Sequence, residues 1–253
     1  MSCLVDKKVA VQSDDWLIPD LPAPAHIRGW VTTSTTGASV APFACFNLGD
    51  HVGDSPIQVQ RNRADLANIL GCQLTWLEQV HGNHVVHADA TQTLTADASV
   101  TREPSLACCI MSADCLPVLF TDIAGSVVAA AHAGWRSLAT GVLENTAARM
   151  QVAPEDILVW LGPAIGPAVF EVGAEVRAAF VQQHPHARAA FVPSDNAERW
   201  LADIYQLARI RLAACGVQQV FGGGFCTMTD PRFYSYRRQS VTGRFASLIW
   251  ILE

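Results

Sequence analysis

Three short stretches place reactive side chains where apolar or glycine-rich neighbours make them expensive to bury: EQVHGNH with His81, SADCLP with Asp114 and Cys115, and AAAHAGWRS with His132. Each lies at or near the end of an expected strand, where the strand fixes position and the following loop leaves access. Two imidazoles and a thiolate form the donor class that zinc prefers, and three protein ligands leave a fourth coordination position open, as catalytic sites require. The candidates stand 34 and then 17 residues apart, with no CxxC pair and no HExxH helix, so spacing alone matches no compact metal motif. Taken singly, a histidine is more often a hydrogen-bonded structural residue, and a cysteine in an apolar run a small hydrophobe. Asp114 beside the thiol could orient a histidine, hold a water or shuttle a proton, and could equally be a turn residue that binds a backbone N–H. Gly134 and Trp135 suit a site wall, through close backbone approach and an aromatic face, although tryptophan is also ordinary core.

The C-terminal PRFYSYRRQSVTGR clusters Arg232, Arg237, Arg238 and Arg244 among Phe233, Tyr234 and Tyr236. Guanidinium forks match phosphate geometry, so this stretch is a candidate anion site; an exposed strand of alternating charge is the competing reading for Arg232 and Arg238. Arg63 is either a solvated helix charge or a second anion contact. Gly222, Gly223 and Gly224 fit neither a Rossmann nor a Walker spacing and read as a turn after a strand.

The elements that must position these groups are expected as follows. HIRGWVTTS is a strand. Ser55 caps a helix with Pro56 at its first position, Val59, Leu66, Ile69 and Leu70 on one face, and Gly71 past its end. LTWLEQV and HVVHA form a hairpin about HGN; ACCIMSA, LPVLFTD and SVVAAAH are strands, the last two joined by Ile123, Ala124 and Gly125. One helix follows over 137–150, a strand at ILVWLGPAI, a helix beginning near Val172, and another over 195–215 with Trp200, Ile204, Leu207 and Ile210 inward. VQQVFGG and SLIWIL close the chain as strands. Helices and strands alternate irregularly, so the expected class is α+β, a mixed α/β fold rather than a regular parallel repeat. No repeat, low-complexity tract or linker interrupts it, and residues 1–253 read as a single domain.

Of the 253 residues 50% are hydrophobic and 16% charged, a balance that excludes a disordered chain. The formal charge is −6 without a long basic block, which disfavours nucleic acid and anionic lipid as partners. The N-terminal MSCLVDKKVAVQSDDW places Asp6, Lys7 and Lys8 where an export signal needs an apolar run, and no segment has a membrane-spanning length. A cytoplasmic protein is expected, with its eight cysteines, Cys3, Cys45, Cys72, Cys108, Cys109, Cys115, Cys215 and Cys226, reduced.

The phrases FNLGDHVGD, EQVHGNHVV, ADASVT, MSADCLPVLF, AAHAGWRS, LGPAIGP with FEVGAEV, ADIYQLAR and FYSYRRQSVTGR resemble, in order from about residue 27 to the end, the successive motifs of the bacterial laccase-domain or polyphenol oxidoreductase family. Its bacterial members are regarded as zinc-dependent purine nucleoside phosphorylases. The resemblance implies a four-layer, cysteine-hydrolase-like sandwich of sheets and helices. It implies a metal held by His81, Cys115 and His132, zinc with copper as the alternative; beside these three catalytic candidates, Asp114 or a substrate-bound water is the candidate proton carrier, which no motif identifies. Asn47, Arg63, Arg136 and Arg237 are the candidate substrate contacts. The implied chemistry is phosphorolysis of adenosine, inosine, guanosine and methylthioadenosine, with deamination of adenosine. One departure is clear: Ser34 stands where the family's Ser-Thr-Arg-x-Gly-Gly pattern has arginine. The rivals are a copper-dependent polyphenol oxidase with Met111 or Met228 as axial ligand, a metal-free cysteine hydrolase, and a peptidoglycan editing factor. Eight histidines are too few for a several-copper cluster.

Overall fold

A computed structural model describes residues 15–253. The readings placed on Cys3, Asp6, Lys7 and Lys8 lie outside the described residues. The first strand is β1 (Ile27–Val31), followed by α1 (Pro56–Leu70), which starts at its proline and closes on Gly71. Ser55 makes no side-chain cap; Asp54 accepts its N–H instead. Short strands β2 (Gln73–Thr75), β3 (Leu77–Glu78), β4 (Val85–His87) and β5 (Leu94–Thr95) lead to β6 (Ala98–Thr101). Then come β7 (Leu106–Ser112), β8 (Leu116–Asp122) and β9 (Val128–Ala133), buried along their whole length.

Those three strands read as continuous apolar runs because both of their faces are covered. Alternate residues of β7 go to opposite sides: Cys108 and Ile110 join the core between two sheets, while Cys109 and Met111 join the core beneath α1 with Leu66. In β8 and β9, Leu119, Val128 and Ala130 face the same inter-sheet core, whereas Val118, Phe120, Ala129 and Ala131 face a helical layer. Each fully buried leucine or phenylalanine of these layers contributes about 1.5–3 kcal/mol relative to exposure.

The helical layer begins with α2 (Trp135–Ala139) and α3 (Val142–Met150). The single helix expected over 137–150 is broken there because Gly141, at φ 97°, takes a left-handed conformation that ends one helix and starts the next. After β10 (Ile157–Leu161), residues 171–173 form β11 (Glu171–Gly173) and only then α4 (Ala174–Val181), which corrects the helix start near Val172. The helix expected over 195–215 is likewise divided into β13 (Arg199–Ala202), after β12 (Phe191–Pro193), and α5 (Ile204–Ala214). Asp203 caps α5 by accepting the Gln206 N–H, and Trp200 pairs with Val172 across a three-stranded sheet. Tertiary pairing overrides helical periodicity at both places.

Strands β14 (Gln219–Gly222) and β15 (Phe245–Ile251) complete two large mixed sheets, ordered β1-β15-β7-β2 and β14-β10-β8-β9-β6-β4. The architecture is therefore mixed α/β: α1, four strands, six strands, and the helices α2 to α5 form four successive layers. The β8–β9 hairpin forms as expected. The β3–β4 hairpin does not: β3 pairs with β5 and β4 with β6, because the segment after Glu78 crosses to the other sheet. Cys72, Cys108, Cys109, Cys115, Cys215 and Cys226 are free thiols, while Cys45 is disulfide-bonded, which corrects its reading as reduced. Among the described residues, no helix is long and apolar enough to cross a membrane.

Candidate metal centre

Sheet register places the first ligand candidate. Ala98 of β6 stands opposite Ala131 of β9, so the next pair outward sets Asp97 against His132, whose N–H donates to the Asp97 carbonyl at 2.7 Å. The side chains meet as well: His132 Nδ1 lies 2.8 Å from Asp97 Oδ1, and both residues are buried. An ionised carboxylate can only accept, so Nδ1 carries the proton and Nε2 is left as the ligating nitrogen.

The same carboxylate builds the turn that carries the second candidate. Asp97 accepts backbone N–H groups from Val80, His81 and Gly82 at 3.2, 3.0 and 2.6 Å. These bonds hold His81 at φ 60°, a left-handed conformation that a non-glycine residue adopts only when its surroundings enforce it. The third candidate, Cys115, follows Asp114 in the β7–β8 turn, with its carbonyl accepting the Ser112 hydroxyl. Its Sγ stands 3.9 Å from His81 Nε2, and the two imidazoles meet edge to face with centroids 4.8 Å apart. One donor atom from each of His81, Cys115 and His132 falls within 4.8 Å of the others.

Gly134 closes the cradle. A Cβ there would lie 3.0 Å from both Cys115 Sγ and His81 Cδ2, so any side chain would press on two of the three donors. Burial opposes ionisation of Cys115, but the charge and hydrogen bond of His132, with His81, outweigh it and lower the thiol to about 6. Burial likewise disfavours protonated His132, yet Cys115 and Asp97 together raise it to about 9. A thiolate, two imidazoles and a carboxylate behind one of them is the donor chemistry of a zinc site, and the residues present fit that ion.

The donors line a cavity of about 410 Å³, the size of a small-molecule site. Trp135, Phe170 and Tyr236 bring aromatic faces to it, and Arg136, Arg237 and Arg244 bring guanidiniums. Arg136 is exposed and lies 4.3 Å over the Trp135 ring. Arg237 donates to the Val169 and Glu171 carbonyls at 3.4 and 3.1 Å. Asp114, at φ 92°, also lines the cavity; its Oδ1 accepts the Thr227 hydroxyl at 2.6 Å and its Oδ2 the Arg237 N–H at 2.7 Å.

Two of the expected substrate contacts stand elsewhere. Asn47 is fully buried and not among the cavity-lining residues: its Oδ1 accepts the Gly49 and Arg244 N–H groups, which anchors the backbone that carries Arg244 just ahead of β15. Arg63 is also outside the lining, donating to the Leu48 carbonyl at 2.9 Å, pairing with Asp50 at 3.3 Å and lying 4.0 Å over Trp76. Arg232 pairs with Asp230, and Arg238 donates to the carbonyls of Thr227, Met228 and Phe233, so turns rather than a strand occupy that stretch. Ser34 donates its hydroxyl to the Arg232 carbonyl. Gly222 to Gly224, all at positive φ, do not form the expected turn: Gly222 ends β14, and Gly223 still donates its N–H to the Leu161 carbonyl of β10 at 2.8 Å.

Sequence reasoning did not single out Asp97, His51, Gln79 or Phe170, all of them at or lining the site. Asp97 carried a signal, a carboxylate set between Ala96 and Ala98 at the start of a buried strand. Gln79 has both ends of its amide on the Met111 backbone, at 2.8 and 2.9 Å, a cross-strand relationship without a local signature.

Residues 28–252 match the model of a family described as multi-copper polyphenol oxidoreductase laccase. The chain is 60% identical over 239 residues to purine nucleoside phosphorylase PA4543 of Pseudomonas aeruginosa, covering 94% of this chain and 99% of that protein. It is 49% identical to purine nucleoside phosphorylase YfiH of Escherichia coli, over 93% of this chain and 98% of the relative. Among solved structures, Neisseria meningitidis protein NMB0706 superposes with a TM-score of 0.92 at 47% identity, over 94% of this chain and 99% of that one.

Proposed function

The chain belongs to the multi-copper polyphenol oxidoreductase laccase family, and from that premise we propose that it is a zinc-dependent purine nucleoside phosphorylase, a single-domain cytoplasmic enzyme. Adenosine, inosine, guanosine and methylthioadenosine are its substrates with phosphate, and adenosine is also deaminated. One observation carries this reading: a cysteine and two histidines converge in a nucleoside-sized cavity that presents both aromatic faces and guanidiniums.

Zinc held by His81, Cys115 and His132 would supply a Lewis acid at the open coordination position. Arg136 and Arg237, with Arg244 beside them, give phosphate charge-assisted donors and fix it against the anomeric carbon, so the gain comes from orientation and charge stabilisation. Trp135 and Phe170 offer faces for the purine. Asp114 ties the backbone of Arg237 and the hydroxyl of Thr227 to the turn that carries Cys115, keeping the anion-binding loop in register with the thiolate.

The test is a nucleoside panel assayed with and without phosphate on protein of measured metal content. Phosphate-dependent release of hypoxanthine from inosine is expected, and Cys115→Ala is expected to lose both that release and the zinc. Undiminished activity in metal-free protein would sink the reading. Copper-dependent oxidation of a phenol, with Met111 at the cavity wall as a further sulfur donor, would replace it with the oxidase.

A further inference from the structure

Phosphorolysis has to move a proton. The C1′–N9 electron pair withdraws into the purine as a phosphate oxygen bonds to C1′, and the departing base needs a proton that hydrogenphosphate gives up. Besides the three metal-ligand candidates, the ionisable side chains lining the cavity are His51, Asp114, Tyr236 and the three arginines. Guanidinium and phenol, as chemical classes, hold their protons through the neutral range. Both carboxylate oxygens of Asp114 already accept hydrogen bonds, from Thr227 and from the Arg237 backbone.

His51 remains, and the loop that carries it is built to aim it. Its Nδ1 lies 3.5 Å from Asp50 Oδ1, and Asp50 Oδ2 lies 3.3 Å from the Arg63 guanidinium. Arg63 is fixed in turn by the Leu48 carbonyl and the Trp76 face. This chain of contacts turns Nδ1 towards Asp50 and leaves Nε2 for a substrate. We infer that His51 is the proton carrier of the site, taking the proton of hydrogenphosphate and delivering a proton to N7 of the departing purine; the inference rests on the phosphorylase reading above. The charge surroundings agree. Partial burial, then the Arg244 and Arg63 charges, against the opposing pull of Asp50, hold His51 below its ordinary value of 6.5. The ring is thus neutral and able to accept when phosphate arrives, and the proton it receives leaves with the base.

The experiment compares inosine with 7-methylinosine, whose N7 already bears a methyl group and a positive charge and whose base departs without protonation. In His51→Gln and His51→Asn, kcat/KM for inosine is expected to fall by about 10²- to 10⁴-fold, the scale of general acid–base catalysis, while 7-methylinosine loses less than about tenfold. Zinc content and melting temperature, measured on the same samples, are expected to stay at the parent values because His51 is exposed. Equal losses on the two nucleosides, or an unchanged rate on inosine, overturn the assignment. Failure of the parent protein to cleave either nucleoside with phosphate is a different result: it removes the phosphorylase reading itself, and this inference with it.

Discussion

Asp97 and His132 stand opposite each other at the end of the β6–β9 ladder, joined twice, by a backbone hydrogen bond and by Oδ1 to Nδ1 at 2.8 Å, out of reach of solvent. Because the same carboxylate accepts three N–H groups from the turn around His81, one side chain sets both the tautomer of one imidazole and the backbone of the other. Replacing it separates the candidate metal centre from its scaffold in a way that can be measured.

In Asp97→Asn the amide keeps one acceptor and turns a donor towards groups that are themselves donors. Zinc affinity, measured by competition with a chromogenic chelator, is expected to fall about 10- to 100-fold. Unchanged affinity would show that Asp97 serves the fold alone.

Gly134 has an ordinary backbone conformation, φ −59° and ψ 157°, so alanine is tolerated by the chain and resisted only by the site. Gly134→Ala is expected to lower bound zinc and shift His81 or Cys115, at an overpacking cost of about 1–3 kcal/mol in the folded protein. Metal analysis with far-ultraviolet circular dichroism checks it: full zinc occupancy in the variant contradicts the cradle geometry.

The Cys115 and His132 shifts run in opposite directions. Cys115, lowered from 9.0 to about 6, adds stability that is complete above 9 and lost as pH falls through 6; His132, raised from 6.5 to about 9, adds stability that is complete below 6.5 and lost as pH rises through 9. Between about 6.5 and 9 the two trends cancel, so this pair leaves the stability of the metal-free protein level with pH. In that window the thiol has already lost its proton and His132 has kept one, so zinc uptake is expected to release about one proton, supplied by His132. Calorimetry in buffers of different ionisation enthalpy counts it, and release of two protons at pH 7.5 would contradict the thiolate–imidazolium pair.

Asp114→Asn can still accept the Arg237 N–H with its oxygen and donate to the Thr227 hydroxyl with its amide. If the residue holds the loop, the variant is expected to keep activity within about tenfold, whereas Asp114→Ala, leaving two donors unmatched, loses about 1–3 kcal/mol per group in stability. An Asp114→Asn enzyme that folds, binds zinc and shows no turnover would instead make Asp114 a proton carrier.

Composition, the buried strands and the α1 boundaries were written locally: apolar runs of strand length, a proline at a helix start and a glycine after its end act within a few residues of themselves. The same local rules singled out His81, Cys115 and His132 as candidates, because a thiol or imidazole in an apolar or glycine-rich stretch stands out wherever the chain later goes. Periodicity could not show that Trp200 and Val172 lie on strands, since their pairing partners are distant in sequence and the helical spacing around them is genuine. Nor could it place Asn47 and Arg63 behind the cavity wall while bringing His51 to its surface, all three from neighbouring stretches.

The sequence by itself determined the candidate donors, their chemical class and the apolar strands of the core, because these follow from side-chain type and short-range pattern. Which donors meet, which carboxylate stands behind them and which arginines reach the cavity was decided only by tertiary structure. Convergence is a matter of strand register: moving β6 by one residue against β9 would turn Asp97 away from His132, and nothing within either segment alone encodes that pairing.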